Sequence, residues 1–497
     1  MKVFHGSAGG IIILALVFSL GCSKSDEQAS PNNVTPADQQ PSMQTLASDS
    51  DSASGSGADA DGDGVADVND AFPSDPMRAA SSPVEFDAGV SYRREIFVSP
   101  SGDDSNGHGS ASSPYRTVAR AAQNATPGTR INLQEGTYPA DGSIKNLHGT
   151  EREPIAIVAN GHVVFDADGA ISVMHFSDPR YVVLQGFTVK NTKIHGINID
   201  DGGTYDTPAE HIIIRNLKFL NIGTGGNHDC LKLSGVDRFL VLNSEFDDCD
   251  HGEAIDMVGC HEGVIKGNVF KNIPINAINT KGGSADILIQ GNRFTDIVSR
   301  AINAGGHTGF DYYRPINAPY EGARIRMLAN IFERVGENDG APVSFTGCDH
   351  CVFANNTIIE PRSYIVRIVQ ERQGERFVPS RNGYFINNII VFNTSDIDDY
   401  VNIGKGTSPE TFTFGNNLWY ALDKENFSGP DIPSVIPPET ASIIQQNPQL
   451  DIVNGNYAIP KTSPAAGGGR DVPGTISTDY NGVLYTAPMD IGAFRAQ

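Results

Sequence analysis

The sequence predicts an all-β protein that forms a single-stranded parallel β-helix, in which one chain winds through stacked coils. Two sets of aligned residues support this fold class. In the first set, large residues recur at intervals of 24 to 38 residues, and an Asn stands two positions before most of them. Repeats that stack like residues are typical of solenoids, because each coil buries its interior on the next. The aligned large residues are Val189, Phe219, Phe246, Phe270, Phe294, Phe332, Ile358, Ile390 and Trp419.

The second set consists of short segments in which apolar residues alternate with a polar one, as in a half-buried strand. The segments GINI, CLKL, AIDM, AINT, AINA, PVSF and IVRI begin at residues 196, 230, 254, 277, 301, 342 and 365. Two other repeat folds fit less well. The Leu-rich consensus of leucine-rich repeats is absent. A β-propeller needs four strands in each repeat of about 40 to 45 residues.

The first 21 residues have the layout of a secretory signal, with one Lys and an apolar stretch over 11–20, and they end at Gly21, directly before Cys22. The apolar stretch is too short to cross a bilayer as a mature helix. The ending SLGC resembles a bacterial lipoprotein cleavage site, which implies that Cys22 is lipidated and that Ser23 directs outer-membrane sorting. We therefore expect an outer-membrane lipoprotein at the cell surface or in the periplasm, or an extracellular protein, that contacts the membrane only through Cys22. A plain signal peptide with an incidental Cys is the alternative.

A disordered linker is predicted over residues 22–58 and a calcium-binding spacer over 59–80. The linker has hardly a large apolar side chain, so burial cannot offset the entropy of ordering it. The spacer contains DADGDGVADVNDAFPSDP, whose closely spaced Asp side chains supply the hard oxygen ligands that Ca²⁺ prefers. It resembles the thrombospondin type 3 calcium repeat; an acidic linker without metal is the alternative. The expected spacer ligands are Asp59, Asp61, Asp63, Asp67 and Asp70.

The predicted β-helix domain covers residues 93–495. Residues 96–98 indicate a first strand, and PYRTVARAAQNA over 114–125 has the apolar spacing of one short amphipathic helix. TRINLQEGTY follows as another strand, after which short strands recur without a further convincing helix.

The 497-residue chain carries a formal charge of −23 at pH 7. Such a chain repels nucleic acid at long range, so nucleic-acid binding is not expected, and a polyanionic partner needs a local cationic site or bound metal. Of the six Cys, five lie beyond Cys22, so at least one is left unpaired or pairs elsewhere. Cys348 and Cys351 form an isolated CxxC pair, which favours a disulfide or simple packing over zinc. We expect a monomer.

The polar residue of each short segment points away from the core, because side chains alternate along a strand. This places a row of polar residues along one sheet, with Lys281 and Gly305 in a second row two positions further on. We call the first row the strand row; it comprises Asn198, Lys232, Asp256, Asn279, Asn303, Ser344 and Arg367.

A further set of polar residues stands just ahead of these segments. Asp229, Glu253, Asn276 and Arg300 follow one another at intervals of 24, 23 and 24 residues, which stacks them on successive coils. Carboxylates on coils about 4.8 Å apart raise each other's pKa, whereas Ca²⁺ would hold both ionised. We therefore expect a calcium site. Its predicted ligands are Asp229, Glu253, Asp256, Asn276, Asp248 and Asp250, of which Asp248 and Asp250 belong to the acidic stretch EFDDCDHGE.

Lys281 stands one coil from this expected cation, directly after its short apolar run. A neighbouring cation disfavours the charged form of an amine and supplies the neutral amine that a general base requires. The sequence therefore predicts Lys281 as a catalytic base. The alternative is a surface lysine that precedes a Gly-Gly turn.

From the opening IFVSPSGDDSNG to the closing DIGAF, residues 93–495 resemble the right-handed parallel β-helix proteins of the pectin lyase type. The resemblance implies a capped right-handed solenoid with a sugar-binding groove along one parallel sheet. HGEAIDM, with Asp229 one coil earlier, is similar to the calcium site of family nine pectate lyases. This likeness implies that Asp229, Glu253 and Asp256 are calcium ligands.

NAINTKGGS resembles the strand of the alginate lyase and chondroitinase B family that bears the catalytic lysine, here Lys281. The arginine that is usual in that family, one coil further on, would fall at Gly305. Arg300 and His307 are the candidate replacements. His307 is also a candidate for protonating the leaving oxygen or orienting the sugar, with a packed or hydrogen-bonded His as the alternative.

The resemblance implies β-elimination on an acidic polysaccharide that contains uronic acid. In that chemistry Ca²⁺ binds the uronate carboxylate, and Lys281 abstracts the C5 proton. Neighbouring sugar carboxylates need cations, and Tyr rings can stack on sugars. The predicted substrate-binding residues are Lys232, Asn279, Asn303, Arg314, Tyr312, Tyr313 and Arg367, with Arg300 as a further cation.

Other functions are compatible with the same fold. A β-helix glycoside hydrolase would use Glu253 and Asp256 as its two carboxyl groups, but it leaves Lys281 without a role. A uronan C5-epimerase begins with the same proton abstraction as a lyase. A surface carbohydrate-binding protein or adhesin would suit the anchor and spacer equally well.

Overall fold

The computed structural model describes residues 84–204, 207–223, 228–250, 252–472 and 478–497. The expected signal peptide, the lipidation site Cys22, the linker and the spacer with its five Asp ligands lie outside these residues. In the described part of the chain, none of the helices has the length and apolar character needed to cross a membrane.

The described chain forms a right-handed parallel β-helix, as the repeats predict. Strands that follow one another by one coil pair in parallel. One sheet contains ten short strands, and we refer to it as the ten-stranded sheet. Its strands are Gly142–Lys145, Met174–Ser177, Ile197–Asp200, Leu231–Ser234, Ile255–Val258, Ile278–Lys281, Arg300–Gly305, Ala341–Thr346, Ser363–Val369 and Ile397–Ile403.

The remaining strands form two further parallel faces that are joined at the N-terminal end. They are joined because the long strand Ile155–Asp166 pairs with both Arg180–Gln185 and Thr188–Thr192. The opening strands are Arg94–Val98, Thr129–Tyr138 and Ile155–Asp166. One face continues through Arg180–Gln185, Ala209–Arg215, Val236–Leu242, His261–Lys266, Ser284–Gln290, Gly322–Ala323, Arg326–Leu328, Cys348–Asp349, Val352–Ala354, Tyr384–Ile386 and Thr413–Gly415. The other continues through Thr188–Thr192, Lys218–Ile222, Glu245–Cys249, Val269–Ile273, Arg293–Ile297, Ile331–Glu333, Thr357–Ile359, Ile389–Phe392, Leu418–Ala421 and Ile443–Ile444.

One α-helix, Val118–Gln123, packs on the first coil and caps the solenoid, within the predicted segment 114–125. Its N-cap is Thr117, whose hydroxyl accepts a hydrogen bond from the Arg120 backbone N–H at 3.1 Å. Val118 and Ala121 form the buried side of the helix. The described 3₁₀ turns are Phe310–Tyr312, Thr394–Asp396, Pro409–Thr411 and Ile452–Asn454.

The column of large residues lies in the core, in the predicted alignment. Val189, Phe219, Phe246, Phe270, Phe294, Phe332, Ile358, Ile390 and Trp419 are successive partners in the parallel registers. The five Phe rings stack with centroids 4.8–4.9 Å apart, which is the rise from one coil to the next. Each is fully buried, and such burial stabilises the fold by about 2–3 kcal/mol per ring.

The Asn residues that precede this column form a second stack, the asparagine ladder. Each side-chain N–H₂ donates to the side-chain oxygen of the next member, at 3.0–3.2 Å. The residue before each Asn is left-handed, with φ of +70° at Gly267 and +63° at Gly291, which explains the repeated Gly-Asn pair. The ladder comprises Asn268, Asn292, Asn330, Asn356, Asn388 and Asn417.

Four of the five described cysteines are paired. Cys230 bonds to Cys249, and Cys348 bonds to Cys351, while Cys260 is buried and free. The free thiol agrees with the odd number of cysteines in the sequence.

Candidate metal and catalytic site

The strand row lies on the ten-stranded sheet, in the order that the repeats predict. Lys232 pairs with Asp256, and Asp256 with Asn279. The row continues through Asn303 and Ser344 to Arg367, and it begins with Asn198. Parallel pairing in register therefore brings side chains from distant parts of the sequence onto neighbouring coils.

The residues just ahead of these strands also stack, and we call them the outer row. Cys230 N donates to the Glu253 carbonyl at 3.0 Å, and Ala277 N donates to the Arg300 carbonyl at 3.0 Å, which fixes the order of the coils. The structure adds one member that the sequence analysis missed, His195, because Gly196 N donates to the Asp229 carbonyl at 3.1 Å. The outer row comprises His195, Asp229, Glu253, Asn276 and Arg300.

Tight turns hold the two acidic members of the outer row in place. Gly252 precedes Glu253, and a Cβ at this position would lie 1.7 Å from the His228 carbonyl oxygen. Only glycine therefore fits this turn. On the neighbouring coil Cys230 follows Asp229, and its disulfide to Cys249 ties that turn to the chain that leads into Glu253.

Asp229, Glu253 and Asp256 form one carboxylate cluster, in which one ligand oxygen from each lies within 4.8 Å of the others. Their exposed fractions are 1%, 5% and 0%. The Asn279 amide donates to Glu253 Oε1 at 2.7 Å, whereas Glu253 Oε2 is buried and has no hydrogen-bond partner among the described residues. A buried unsatisfied oxygen beside two further carboxylates fits a hard cation such as Ca²⁺.

Two lysines contact this carboxylate cluster. Lys281 Nζ lies 3.0 Å from Asp256 Oδ1, and Lys281 is only 8% exposed. Lys232 Nζ forms an ion pair with Asp256 Oδ2 and lies 3.5 Å from Asp229 Oδ2. Two ammonium groups thus face three carboxyl groups, which leaves one negative charge unmatched if all three are ionised.

The unmatched charge falls on Glu253. Burial, together with repulsion from Asp256 and Asp229, raises the pKa of Glu253 to about 8. Burial followed by Asp256 also raises the pKa of Asp229. Asp256 behaves differently: burial opposes its ionisation, but Lys232 and Lys281 prevail and lower its pKa. A bound divalent cation would allow all three to ionise together.

His195 lies against the N-terminal side of the cluster as a neutral imidazole. Its Nδ1 accepts a hydrogen bond from the Asp229 backbone N–H at 3.0 Å, so the ring proton resides on Nε2. Burial, followed by the charge of Lys232, lowers the pKa of His195 to about 4. The sequence signal for His195 was its place in HGINI, in line with Asp229 one coil later.

The position that would carry the family arginine cannot hold a side chain. Gly305 has φ of +102°, and a Cβ there would lie 1.7 Å from the Thr346 carbonyl oxygen. Arg300 instead reaches into the groove, where its Nη1 donates to Asn303 Oδ1 at 3.0 Å and to Glu371 Oε1 at 2.8 Å. His307 is exposed on the adjoining loop, and its backbone N–H donates to Glu371 Oε2 at 2.9 Å.

A cleft of about 350 Å³ opens beside the carboxylate cluster. Lys232, Tyr312 and Arg314 are among its lining residues, and Tyr312 is 67% exposed, which suits a ring that stacks on a sugar. Arg314 forms a bidentate ion pair with Asp237, with two N–O distances of 2.8 Å. The pairing holds Arg314 in the cleft wall and neutralises its charge.

Three predicted site residues have other surroundings than expected. Tyr313 is completely buried and packs on Phe377, with ring centroids 5.4 Å apart, so its predicted role in stacking on a sugar is wrong. Asp248 and Asp250 line a separate groove together with Arg334, and they do not join the carboxylate cluster. Asp248 follows Phe246 in the strand Glu245–Cys249, which belongs to another face of the solenoid.

Three more predicted residues lie on the groove with defined partners. Asn276 Oδ1 accepts from the Arg300 backbone N–H at 3.2 Å, so this oxygen is already engaged. Arg367 lies four coils from Asp256, where its Nε donates to Asn402 Oδ1 at 3.1 Å. Asn279 is buried next to Glu253, and its Oδ1 has no hydrogen-bond partner among the described residues.

Comparisons with known proteins agree with the fold. A family model described as the Pel9A-like right-handed β-helix region matches residues 96–278. The uncharacterized protein YwoF of Bacillus subtilis (strain 168) is 28% identical over 138 residues, which are 26% of this chain and 29% of YwoF. The chain thus spans less than a third of that relative.

Among solved structures, pectate lyase Pel9A superposes with a TM-score of 0.51 at 17% identity, over 82% of this chain and 98% of its own. An alginate lyase from Paenibacillus sp. str. FPU-7 is also similar, with a TM-score of 0.42 at 17% identity, over 64% of this chain and 99% of its own. At this identity the likeness to pectate lyase Pel9A establishes the fold, and a TM-score of 0.42 supports no argument.

Proposed function

We propose that the protein is a polysaccharide lyase that cleaves a uronic-acid-containing polysaccharide by calcium-assisted β-elimination. One observation carries the proposal. The primary amine of Lys281 lies 3.0 Å from a carboxylate of a buried three-carboxylate cluster, on a parallel sheet whose row of polar side chains leads away from it in both directions.

The cluster has the donor set for calcium. Asp229, Glu253 and Asp256 would hold the ion through carboxylate oxygens, and the unsatisfied Glu253 Oε2 is the atom with the most to gain. When bound, Ca²⁺ would bind the uronate carboxylate and stabilise the negative charge that develops as the C5 proton leaves. The chemistry of the donor set supports this assignment.

Lys281 is the proposed base. Its Nζ lies 3.0 Å from Asp256 Oδ1, so the amine would lie beside a uronate held at the carboxylate cluster. It takes the C5 proton of the uronate, the C4–C5 double bond forms, and the C4–O4 bond breaks. The leaving oxygen takes up a proton, for which the exposed His307 on the adjoining loop is the candidate donor.

Substrate positioning falls to the groove. Arg300 and Arg367 are the proposed contacts for sugar carboxylates beyond the reacting residue, and Asn279 and Asn303 lie between them and the cluster. Tyr312 is the proposed stacking ring. The acidic chain as a whole repels a polyanion, so these local cations are needed for binding.

A panel of alginate, pectate, chondroitin and ulvan tests the proposal. A lyase produces an unsaturated uronate, and we expect ultraviolet absorbance to grow with one of these polymers in the presence of calcium and to stop when a chelator is added. New reducing ends without that absorbance would show a glycoside hydrolase instead, and neither signal would show a binding protein or an epimerase. Proton exchange at C5 without cleavage identifies the epimerase.

The hydrolase is the weaker candidate. Its two carboxyl groups would account for Glu253 and Asp256. It would leave Lys281, whose Nζ lies 3.0 Å from Asp256 Oδ1, without a chemical role.

The N-terminal assignments are proposals of the same standing. We propose a signal peptide over residues 1–21, a lipid anchor at Cys22 and a calcium-binding spacer over 59–80. Intact-mass measurement of the membrane fraction tests the anchor, because a diacylated or triacylated Cys22 adds the mass of its acyl chains.

A further inference from the structure

The groove on the ten-stranded sheet has a rise of 4.8–4.9 Å per coil, measured between the stacked Phe rings of the core. A 1→4-linked hexopyranose advances by a length close to one coil. A polysaccharide that runs along the sheet therefore presents about one sugar to each coil. The charge on each coil then indicates which sugars carry a carboxylate.

Toward the C-terminal end, beyond the coil of Lys281, two arginines stand two coils apart. Arg300 stands two coils beyond Glu253, and Arg367 stands two coils beyond the strand of Arg300. The strand between them, Ala341–Thr346, contains no charged residue, and its member of the strand row is Ser344. The two arginines also repel each other electrostatically. Burial is the main cause of the lowered pKa of Arg367, and the charge of Arg300 is the second.

Both guanidinium groups retain hydrogen-bonding capacity toward the groove. Arg300 donates through Nη1 to Asn303 and Glu371, and Arg367 donates through Nε and Nη1 to Asn402 and the Asp339 carbonyl. The described residues supply no hydrogen-bond partner to Nη2 of either arginine. A carboxylate can therefore hydrogen-bond to Nη2 without displacing an existing contact, and at Arg300 it would share the guanidinium with the Glu371 carboxylate.

The coil on the N-terminal side of the carboxylate cluster has a different character. It opens into a cleft of about 310 Å³ whose lining residues include His175, His195 and Asn198. Asn198 Oδ1 is buried without a hydrogen-bond partner among the described residues, and His195, whose Nδ1 accepts from the Asp229 backbone N–H, presents its Nε2–H group. The strands Met174–Ser177 and Ile197–Asp200 contain no Lys or Arg.

The same side of the groove repels carboxylates. Asp200 lies one coil before Ser234 on the ten-stranded sheet and binds His175. Uncharged donors and acceptors beside an Asp suit the hydroxyl and amide groups of a neutral sugar. A uronate in that place would find no Lys or Arg on the strands of its own cleft and would face the negative charge of Asp200.

We propose that the substrate is a linear polysaccharide in which each uronate alternates with an uncharged sugar. The proposal rests on the proposed lyase function and makes its substrate class specific. The reacting uronate lies at the carboxylate cluster, a neutral sugar fills the His195 cleft, and uronates recur at Arg300 and Arg367, two coils apart. Lys281, on the coil between Glu253 and Arg300, reaches back to Asp256 and serves the reacting sugar.

Matched polymers test the alternation. The backbone of rhamnogalacturonan, with alternating rhamnose and galacturonate, is compared with polygalacturonate, and unsulfated chondroitin with polyglucuronate. Within each pair the reacting uronate is the same, and the members differ in whether a neutral sugar, with its own linkage, separates successive uronates. We expect kcat/KM to be at least about tenfold higher for the alternating member of the pair that is cleaved. Equal or better cleavage of the homopolymer would overturn the proposal and leave the lyase function intact.

Binding to the Lys281→Ala variant separates this proposal from the proposed function. Calorimetry with hexasaccharides of the four polymers is carried out in calcium. If no polymer is cleaved by the natural protein, the lyase function fails, but about tenfold tighter binding of an alternating hexasaccharide still supports the alternation. Binding that is equal for both members of a pair, or no binding at all, overturns it.

Variants of the two arginines locate the recurrent uronates. We expect Arg300→Gln and Arg367→Gln each to raise KM for the alternating polymer by roughly fivefold with little change in kcat. Arg334→Gln is the matched control, because Arg334 pairs with Asp296 at 2.7 Å on another face of the solenoid. An unchanged KM in both groove variants would contradict the placement of uronates at these coils.

Discussion

The asparagine ladder and the outer row are both stacks of polar residues that run along the same solenoid. In the asparagine ladder one residue type repeats, and each side-chain amide bonds to the next within 3.2 Å. In the outer row each coil carries a different residue, and one buried oxygen of Glu253 has no hydrogen-bond partner within the described part of the chain. A stack that repeats one residue and satisfies its hydrogen bonds stabilises the fold. A stack of different residues that contains an unsatisfied buried oxygen can bind a ligand.

Among the predictions from this comparison, replacement of Lys281 has the largest expected effect, on the rate of elimination. Loss of a general base costs two to four orders of magnitude, so we expect Lys281→Ala to slow elimination by roughly a thousandfold. The measurement is the initial rate of ultraviolet absorbance on the polymer that the natural protein cleaves. Lys271→Ala, which removes a half-buried lysine that pairs with Glu245 at 2.6 Å on another face, is the control. A natural rate in Lys281→Ala would remove this residue from the mechanism.

The unsatisfied carboxylate makes a second, thermodynamic prediction. Calcium at a hundredfold excess over its Kd should stabilise the natural protein by about 3 kcal/mol, because the ion binds only the folded state. We expect Glu253→Gln to abolish most of that gain. Chemical denaturation with calcium and with chelator measures it. Asn272→Ala, outside the cluster, should respond as the natural protein does. A full calcium response in Glu253→Gln would place the ion elsewhere.

The asparagine ladder should respond in the opposite way. Asn330→Ala removes the acceptor for Asn292 N and Nδ2 and the donor to the Ile289 carbonyl, at 2.9–3.0 Å. Buried groups left unsatisfied cost roughly 3 kcal/mol in total, so we expect a lower free energy of unfolding. Calorimetric titration should give an unchanged calcium affinity. A loss of calcium binding without a loss of stability would break the distinction between the two stacks.

Glu321 tests whether an unsatisfied carboxylate outside the cluster only lowers the stability of the fold. It is fully buried, its Oε2 has no partner among the described residues, and burial followed by the charge of Glu371 raises its pKa to about 7. A raised pKa means that the folded state holds the proton more tightly than the unfolded chain. Stability linked to Glu321 is therefore present at acid pH and is lost as the pH rises from about 4.5 to about 7.

We expect Glu321→Gln to remove that loss. Relative to the natural protein, the variant should gain about 2 kcal/mol between pH 5 and pH 8 in the free energy of unfolding. Denaturant titrations at the two pH values measure the difference. A difference between the two proteins that stays constant with pH would show that Glu321 titrates normally.

The smallest effect concerns the turns that introduce the asparagine ladder. Ala329 occupies the left-handed position before Asn330, with φ of +52°, where most other turns have Gly or Asn. A left-handed Ala costs about 1 kcal/mol, so Ala329→Gly should raise the free energy of unfolding by up to that amount. Gly291→Ala, at φ of +63°, should lower it by a similar amount. Changes of the opposite sign would show that packing outweighs the backbone here.

The solenoid and much of the site followed from the sequence, because parallel coils turn a sequence interval into a spatial neighbour. Phe270 above Phe294 and Asp256 beside Asn279 needed only the repeat length. The same logic placed Asp229 and Glu253 on adjacent coils. A repeat of known length predicts which residues are neighbours on adjacent coils, for every residue that holds the same place in its coil.

The wrong predictions concern residues that lie outside the strand row and the outer row, and the omission of His195 has a different cause. Tyr313 belongs to the long loop after Gly305, whose path depends on contacts with Phe377 rather than on the repeat. Asp248 is near Glu253 in sequence, but a turn separates them onto different faces. Arg314 pairs with Asp237, 77 residues away, through a contact that no interval predicts. His195 was in phase but escaped notice because its interval to Asp229 is 34 residues, longer than the others in its row.

The disulfide between Cys230 and Cys249 links the candidate metal centre to the redox conditions around the protein. The bond spans 19 residues and joins the turn that carries Asp229 to the segment that leads into Glu253, so the two oxygen donors cannot drift apart while it is oxidised. In a thiol-reducing solution the donors would be held by hydrogen bonds alone. Calcium affinity should then weaken on incubation with dithiothreitol, and the ion should in turn protect the bridge from reduction, because two linked equilibria always act on each other.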